Sequence, residues 1–222
     1  MKRSLSNWCW RLLFYLVGMS LLAFGVCITN LADLGVAPFV SVHYGISRIW
    51  NLHFPTLAFC VYLVLVTAQL ILKGKKRSWW DLLQVPFALL FSVLLDLFGR
   101  LLTFQPQGLR DSVLLFCIGI MCTSVGSAMS VSMKLLPNPA DGLAHTISER
   151  TGKDLGLIRN IFDVSCVAIT CTIGFLAVGR VEVIGPGTLV SMVLCGRIIY
   201  LFNRLFKARM DALAGMTPVN KV

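Results

Sequence analysis

The stretch WRLLFYLVGMSLLAFGVCITN occupies residues 10–30, and a mixed stretch, APFVSVHYGIS, follows it at residues 37–47. The first has the length of about 20 predominantly apolar residues that a helix needs to cross a bilayer. The second is too short and too polar to cross, and the proline near its start suits the first turn of a helix. The sequence therefore predicts a transmembrane helix followed by a short helix that lies in the membrane interface or dips partway into the bilayer.

The composition of the whole chain agrees with a membrane protein. Of 222 residues, 57% are hydrophobic and only 14% are charged, and the mean hydropathy is +0.80. Soluble domains carry about 45–50% apolar and about 25% charged residues, so a soluble globular class is excluded. The net charge of +10 comes from basic residues in short clusters between apolar runs. This pattern is typical of loops that anchor a bilayer protein, and we expect no nucleic-acid partner.

Six apolar stretches are long enough to span, and most basic residues fall on one side of them. Fifteen of the twenty Lys and Arg residues lie on the side that holds both termini. Under the positive-inside rule, both termini are then cytoplasmic. The predicted spans are residues 10–30, 55–72, 79–102, 112–133, 156–178 and 185–205.

A second stretch that has a proline near its start, NPADGLAHTIS, occupies residues 138–148. It follows the fourth predicted span in the same way that residues 37–47 follow the first predicted span. At a constant offset of 101 residues, matching Gly, Pro, Ile and Ser residues recur in the two halves. Three spans in each half require the second half to enter the membrane from the opposite face. We therefore predict an all-α membrane protein with a 3+3 inverted repeat, in which residues 1–104 and 105–206 form the halves and residues 207–222 a short cytoplasmic tail. The matching pairs are Gly18 and Gly119, Gly25 and Gly126, Pro38 and Pro139, Ile46 and Ile147, and Ser47 and Ser148.

Two motifs resemble a known family. The run ADLGVAPF at residues 32–39, followed by YGIS at residues 44–47, resembles the first-repeat pattern of the YitT/YczE/YyaS-type bacterial membrane proteins. The run IGPGTL at residues 184–189, followed by Gly196, resembles the Gly-x-Gly-Thr turn of that family. The resemblance covers about residues 14–206 and implies a small polytopic protein of bacterial plasma membranes, with no defined activity. The family pattern commonly has an acid where this chain has Val40, whereas the mate position, Asp141, keeps an acid.

Ionisable residues inside predicted spans are candidates for function, because burying a charge in a bilayer is costly. Asp96 and Arg197 occupy equivalent places in the third and sixth spans. They could line a path for a solute or an ion, or Asp96 could simply pair with Arg100 while Arg197 extends to the interface. Asp163 could likewise line such a path or take part in a local ion pair. Arg159 lies four residues before it, and a pair between the two would explain the presence of both charges in a span.

The proline-led stretches supply the remaining candidates. A helix that starts after Pro38 or Pro139 exposes backbone N–H groups that suit an anionic group. Polar side chains and glycines near these starts, and in the turn before the sixth span, could bind a solute or act as gates, although an interfacial histidine is often merely amphipathic. The binding candidates here are His43, His145, Asn138, Asp141 and Thr188, and the gating candidates are Pro38, Pro139, Gly185 and Gly187.

No enzyme motif is recognisable, so we expect no catalytic residue, no metal and no cofactor. The architecture favours a secondary transporter or exporter of a small polar or anionic solute. The alternative is an accessory membrane protein that stabilises or regulates a partner enzyme or transporter. A homodimer or a partner membrane protein is compatible with either function, and the lipid bilayer is a partner in both.

Overall fold

The computed structural model describes residues 5–74, 79–180 and 183–216, and every regular element in these residues is a helix. Two of the helices are short and begin at a proline, as the sequence predicts. The helices are α1 (Leu5–Ala32), α2 (Pro38–Trp50), α3 (Phe54–Lys73), α4 (Trp79–Leu82), α5 (Gln84–Leu101), α6 (Leu109–Ser132), α7 (Pro139–Thr151), α8 (Leu155–Val178) and α9 (Pro186–Leu213).

Six of these helices, α1, α3, α5, α6, α8 and α9, are long and apolar enough to cross a membrane. Many of their large apolar side chains point outward, including Val64 on α3, Leu176 on α8 and Leu189 on α9. Such an apolar exterior is stable in lipid and would aggregate in water. The protein is therefore a multi-pass integral membrane protein.

Two predicted spans, the third and the sixth, depart most from the observed helices. The third breaks at Leu83 into α4 and α5, because Pro86 has no N–H to donate to the Leu82 carbonyl one turn earlier. The sixth continues beyond residue 205 to Leu213, where Met210 is buried in the same apolar cluster as Tyr15 of α1. The first seven residues of the predicted tail are therefore helical, and residues 217–222 lie outside the described residues.

The centre of the bundle is the crossing of α1 and α6, where glycines bring the two backbones together. A Cβ atom on Gly18 would lie 2.8 Å from the Ser130 backbone nitrogen, and one on Gly119 would lie 2.9 Å from the Thr29 nitrogen. At one end of the crossing, the Arg11 guanidinium donates to the Met133 carbonyl at 2.7 Å. Small residues at a membrane helix crossing allow this close approach.

The other helices surround this central pair. The short helix α2 packs on α8 and α3, and α7 packs on α3 and α8. Ser41 of α2 shares a hydrogen bond of 2.8 Å with Thr170 of α8, and Gly142 of α7 lies against the Gln69 side chain of α3. Helix α5 packs on α1 and α3, whereas α9 packs on α6 and makes almost no contact with α8 along their described lengths.

We expect Gly18→Ala and Gly119→Ala each to destabilise the protein, because the added methyl group would push α1 and α6 apart. Overpacking of this kind costs about 1–3 kcal/mol. The measurement is the thermal unfolding midpoint of the purified protein in detergent. The matched control is Gly99→Ala, since a Cβ there meets nothing within 4 Å. Equal midpoints for all three variants would contradict a crossing that depends on glycine.

Candidate functional site

A cavity of about 340 Å³ lies between the central helix pair and the starts of the two short helices. Leu22 and Val26 of α1 form part of one wall, and Ser124 and Ser127 of α6 form part of another. Residues 37–40 at the start of α2 and the first turn of α7 both reach it. We call this space the central cavity.

The start of α7 brings two predicted residues into the central cavity. Asn138 is the N-cap, and its side chain accepts a hydrogen bond from the Ala140 backbone N–H at 3.2 Å. Asp141 lies one turn further on and forms an ion pair of 2.8 Å with Arg159 of α8. The sequence suggested a local pair between Arg159 and Asp163, but tertiary packing gives the guanidinium a partner on another helix.

Helix α8 contributes a polar stripe to the cavity. Arg159, Asn160 and Asp163 all line it, since their spacing of one to four residues places them along one face of the helix. Asp163 is half-buried and has no ion pair within 4 Å among the described residues. Its carboxylate is therefore available to a ligand.

Phenylalanine side chains form a second part of the cavity lining, which we call the aromatic wall. Phe39 of α2 and Phe91 of α5 line the cavity. The ring of Tyr62 on α3 packs against both, with its centroid 5.6 Å from that of Phe39 and 5.7 Å from that of Phe91. Tyr62 is almost fully buried. The cavity lining thus combines charged and aromatic side chains.

The cavity opens between α8 and α9. Arg159 and Asn160 on α8, and Met192 and Gly196 on α9, line the cavity and are themselves exposed. Because α8 and α9 hardly meet along their described lengths, no packed interface between these two helices closes the cavity on this side.

Asp96 lies in a separate, wider cavity formed by the ends of α1, α2 and α5 and the start of α3. Its carboxylate pairs with Arg100 at 2.9 Å and with the His53 ring at 3.0 Å. The i, i+4 pair with Arg100 is one of the two alternatives that the sequence left open for Asp96. Asp96 and Arg197 are not brought together, since Arg197 is exposed on α9.

His43 is fully buried in an aromatic cluster. Its ring stacks on Phe54 at 5.3 Å and meets Phe39 and Tyr62 edge-on at 5.6 and 5.9 Å. Burial lowers the pKa of His43 from 6.5 to about 3, so its ring is neutral at physiological pH. The other predicted histidine, His145, is exposed and lies 3.5 Å from Glu149 on the same helix.

The predicted gating residues lie where chain segments touch. Pro38 and Pro139 are the first residues of α2 and α7, and Pro38 lines the cavity. The Gly187 N–H donates to the Leu34 carbonyl at 2.8 Å, and a Cβ on Gly185 would meet the same carbonyl. Thr188 is buried, and its hydroxyl oxygen accepts from the Gly185 N–H at 3.4 Å.

Several cavity residues were not among the predicted site residues. In the sequence, Phe39 and Phe91 resemble ordinary apolar core residues, and the spacing of Arg159 predicts a local ion pair with Asp163. Ser124 and Ser127 read as small packing residues, which their positions on α6 also allow. The i, i+3 spacing of Asn160 and Asp163 is the one signal that points to a polar helix face in advance.

The lowered pKa of His43 predicts a loss of stability in acid. The unfolded chain binds a proton at this ring below about pH 6.5, whereas the folded chain does so only near pH 3, so stability falls as the pH drops between these values. At pH 5 the loss attributable to His43 is about 2 kcal/mol. His43→Phe should reduce the drop in unfolding midpoint between pH 7.5 and pH 5, whereas His145→Gln should not. An unchanged drop in His43→Phe would rule out this source of acid sensitivity.

Comparison with known proteins places the chain in a family. The model described as "Family of unknown function (DUF6198)" matches residues 9–204. The chain is 27% identical to the uncharacterized membrane protein YczE of Bacillus subtilis over 216 residues, which cover 93% of this chain and 95% of the relative. It is 24% identical to the uncharacterized protein YyaS of the same organism, covering 86% of this chain and 90% of the relative.

A third relative is an uncharacterized protein of Haemophilus influenzae, 26% identical over 84% of this chain and 80% of the relative. No solved structure matches the chain. The resemblance to the YczE and YyaS proteins that the motifs indicated is confirmed. The chain belongs to the DUF6198 family, whose model covers nearly all of its helical bundle.

Proposed function

We propose that this protein is a secondary transporter of a small polar solute in a bacterial plasma membrane, and that it is not an enzyme. The observation that carries the proposal is a cavity between candidate membrane-spanning helices that has Asp141, Arg159 and Asp163 in its lining. Ionisable groups are retained inside a membrane bundle mainly where they bind or conduct something polar.

An inverted repeat is the architecture we propose for the bundle, and local geometry supports it. The 101-residue offset relates two pairs of left-handed residues: Asp33 (φ 52°) with Lys134 (φ 49°), and Asn51 (φ 49°) with Gly152 (φ 67°). Such conformations are uncommon outside glycine, so their recurrence at one offset is informative.

Side-chain hydrogen bonds recur at the same offset. Ser47 donates to the Leu52 carbonyl at 2.6 Å, and its counterpart Ser148 donates to the Lys153 carbonyl at 2.7 Å. On the central helices, Thr29 donates to the Gly25 carbonyl, and the counterpart Ser130 donates to the Gly126 carbonyl.

Helix packing supports the same pairing of halves. Contact of α2 with α8 has its counterpart in α7 with α3, and contact of α1 with α5 has its counterpart in α6 with α9. One pair departs from this correspondence, because α3 packs closely on α5 whereas α8 and α9 are apart. The central cavity opens through that gap.

This departure suggests how transport would work. In an inverted repeat, the two halves can exchange conformations, which closes an opening on one face and creates its counterpart on the other. Here the exchange would bring α8 onto α9 and separate α3 from α5. With both termini in the cytoplasm, as the basic residues favour, Arg159 lies near the cytoplasmic start of α8 and the gap faces inward. The short helices α2 and α7 would dip partway into the bilayer from opposite faces.

Cys195, which lines the cavity, provides a test that needs no known substrate. In a variant that retains Cys195 alone of the eight cysteines, a membrane-impermeant methanethiosulfonate should label it from the cytoplasmic face, and more slowly from the outer face. The measurement is the labelling rate in inside-out and right-side-out vesicles. Labelling from one face only would contradict alternating access and favour the accessory role.

A cross-link between α3 and α5 should block the outer opening. The substitutions His53→Cys and Asp96→Cys are added to the variant that retains Cys195 alone. We expect a short bifunctional methanethiosulfonate to link the two introduced thiols, since the native His53 and Asp96 side chains lie 3.0 Å apart. Outer labelling of Cys195 should then cease while cytoplasmic labelling continues, and reductant should reverse the effect. His53→Cys alone is the control. Undiminished outer labelling after cross-linking would reject the proposed exchange of openings.

A further inference from the structure

We propose that the central cavity binds a small organic cation, with the Asp163 carboxylate and the aromatic wall as its two recognition elements. This assignment rests on the proposed function, which it narrows to a class of solute. It differs from the expectation of an anionic solute that the helix starts suggested in the sequence.

The balance of charge in the cavity favours a cation. Three charged side chains line it, two carboxylates and one guanidinium. Asp141 and Arg159 form an ion pair at 2.8 Å, so the three side chains together carry one net negative charge, and Asp163 has no ion pair within 4 Å among the described residues. A carboxylate in an apolar surrounding is stabilised by a cation that takes the place of water around it.

The aromatic wall suits an organic ammonium group. Phe39, Phe91 and Phe162 all line the cavity. A cation over the face of an aromatic ring is attracted by the negative potential of that face, and alkylated ammonium groups use this interaction most. Tyr62 holds Phe39 and Phe91 in place, so the wall is already formed before a ligand enters.

The start of α2 offers little to an anion. The amide N–H groups of Val40 and Ser41 already donate to the Ala37 carbonyl at 2.9 and 3.0 Å. The start of α7 carries Asp141, which repels an anion. Two of the first amides of α2 are therefore occupied and the first turn of α7 carries a negative charge, so both helix starts favour an anion less than the sequence suggests.

A bare metal ion fits the cavity poorly. Among the described residues, no group of three His, Cys, Asp or Glu side chains could hold a metal. The volume of about 340 Å³ lies instead at the lower end of the range of about 300–1,000 Å³ that small-molecule sites occupy.

Choline provides a direct test, because 3,3-dimethyl-1-butanol has the same shape without the charge. We expect choline to raise the thermal unfolding midpoint of the detergent-purified protein and to give a saturable calorimetric isotherm. The neutral alcohol and the anion 3,3-dimethylbutanoate should do neither. The assignment is overturned if choline fails to bind the folded protein, or if the neutral alcohol binds equally well.

Two matched variants locate the interaction. Asp163→Asn removes the carboxylate charge with little change of shape and should weaken choline binding about tenfold or more. Asp111→Asn removes the same charge at the start of α6, outside the cavity, and should leave binding unchanged. Equal effects of the two variants would attribute binding to overall charge and overturn the site.

Phe91→Leu provides a second variant should Asp163→Asn fold poorly, since it keeps an apolar side chain while removing one aromatic face. It should weaken choline binding without creating affinity for the neutral alcohol, and unchanged choline affinity would overturn the role of the aromatic wall.

The outcomes of the labelling and binding experiments distinguish the transport proposal from the cation proposal. Labelling of Cys195 from both faces without choline binding would support the transport proposal and reject the organic cation as the ligand. Choline binding with labelling from one face only would support the cation site and reject alternating access.

Discussion

The close crossing of α1 and α6 is the contact on which the rest of the structure depends. Gly18 and Gly119 let the two backbones touch, which no larger side chain would permit. The same helices then provide part of the cavity lining, with Leu22 and Val26 on α1 and Ser124 on α6. In a bilayer the hydrophobic effect does not hold helices together, so close packing of this kind must do so. The crossing therefore sets both the stability of the bundle and the width of the cavity.

The charged groups of the cavity are compatible with the bilayer because the protein shields them from lipid. Asp141 lies in the first turn of α7, where the helix dipole stabilises a carboxylate, and Arg159 supplies its counter-charge from α8. Asp163 lacks such a partner, and it is the group whose energy a bound cation would change most. A site that is only partly neutralised by its own residues can select a ligand by charge, whereas a fully paired site could not.

Much of the fold follows from sequence patterns that have a direct physical cause. The six long helices follow from runs of apolar residues, and the starts of α2 and α7 follow from Pro38 and Pro139. Helix ends were less predictable. The break at Leu83 depends on Pro86 inside an apolar run, and the extension of α9 to Leu213 depends on burial of Met210 against α1. Of the predicted site residues, Asn138, Asp141, Asp163 and Pro38 line the central cavity, while Asp96 and His43 lie elsewhere.

The sequence by itself determined that the chain is an all-helical membrane protein with two proline-led short helices, because hydrophobic length and proline geometry are local properties. It also indicated membership of the family, through two motifs that each occupy a short stretch of chain. Only the tertiary structure decided which charges meet. Arg159 pairs with Asp141 on another helix rather than with Asp163 on its own, because side-chain partners are chosen by distances across the bundle. The gap between α8 and α9 and the aromatic wall of the cavity likewise arise from the packing of distant segments, which no local pattern encodes.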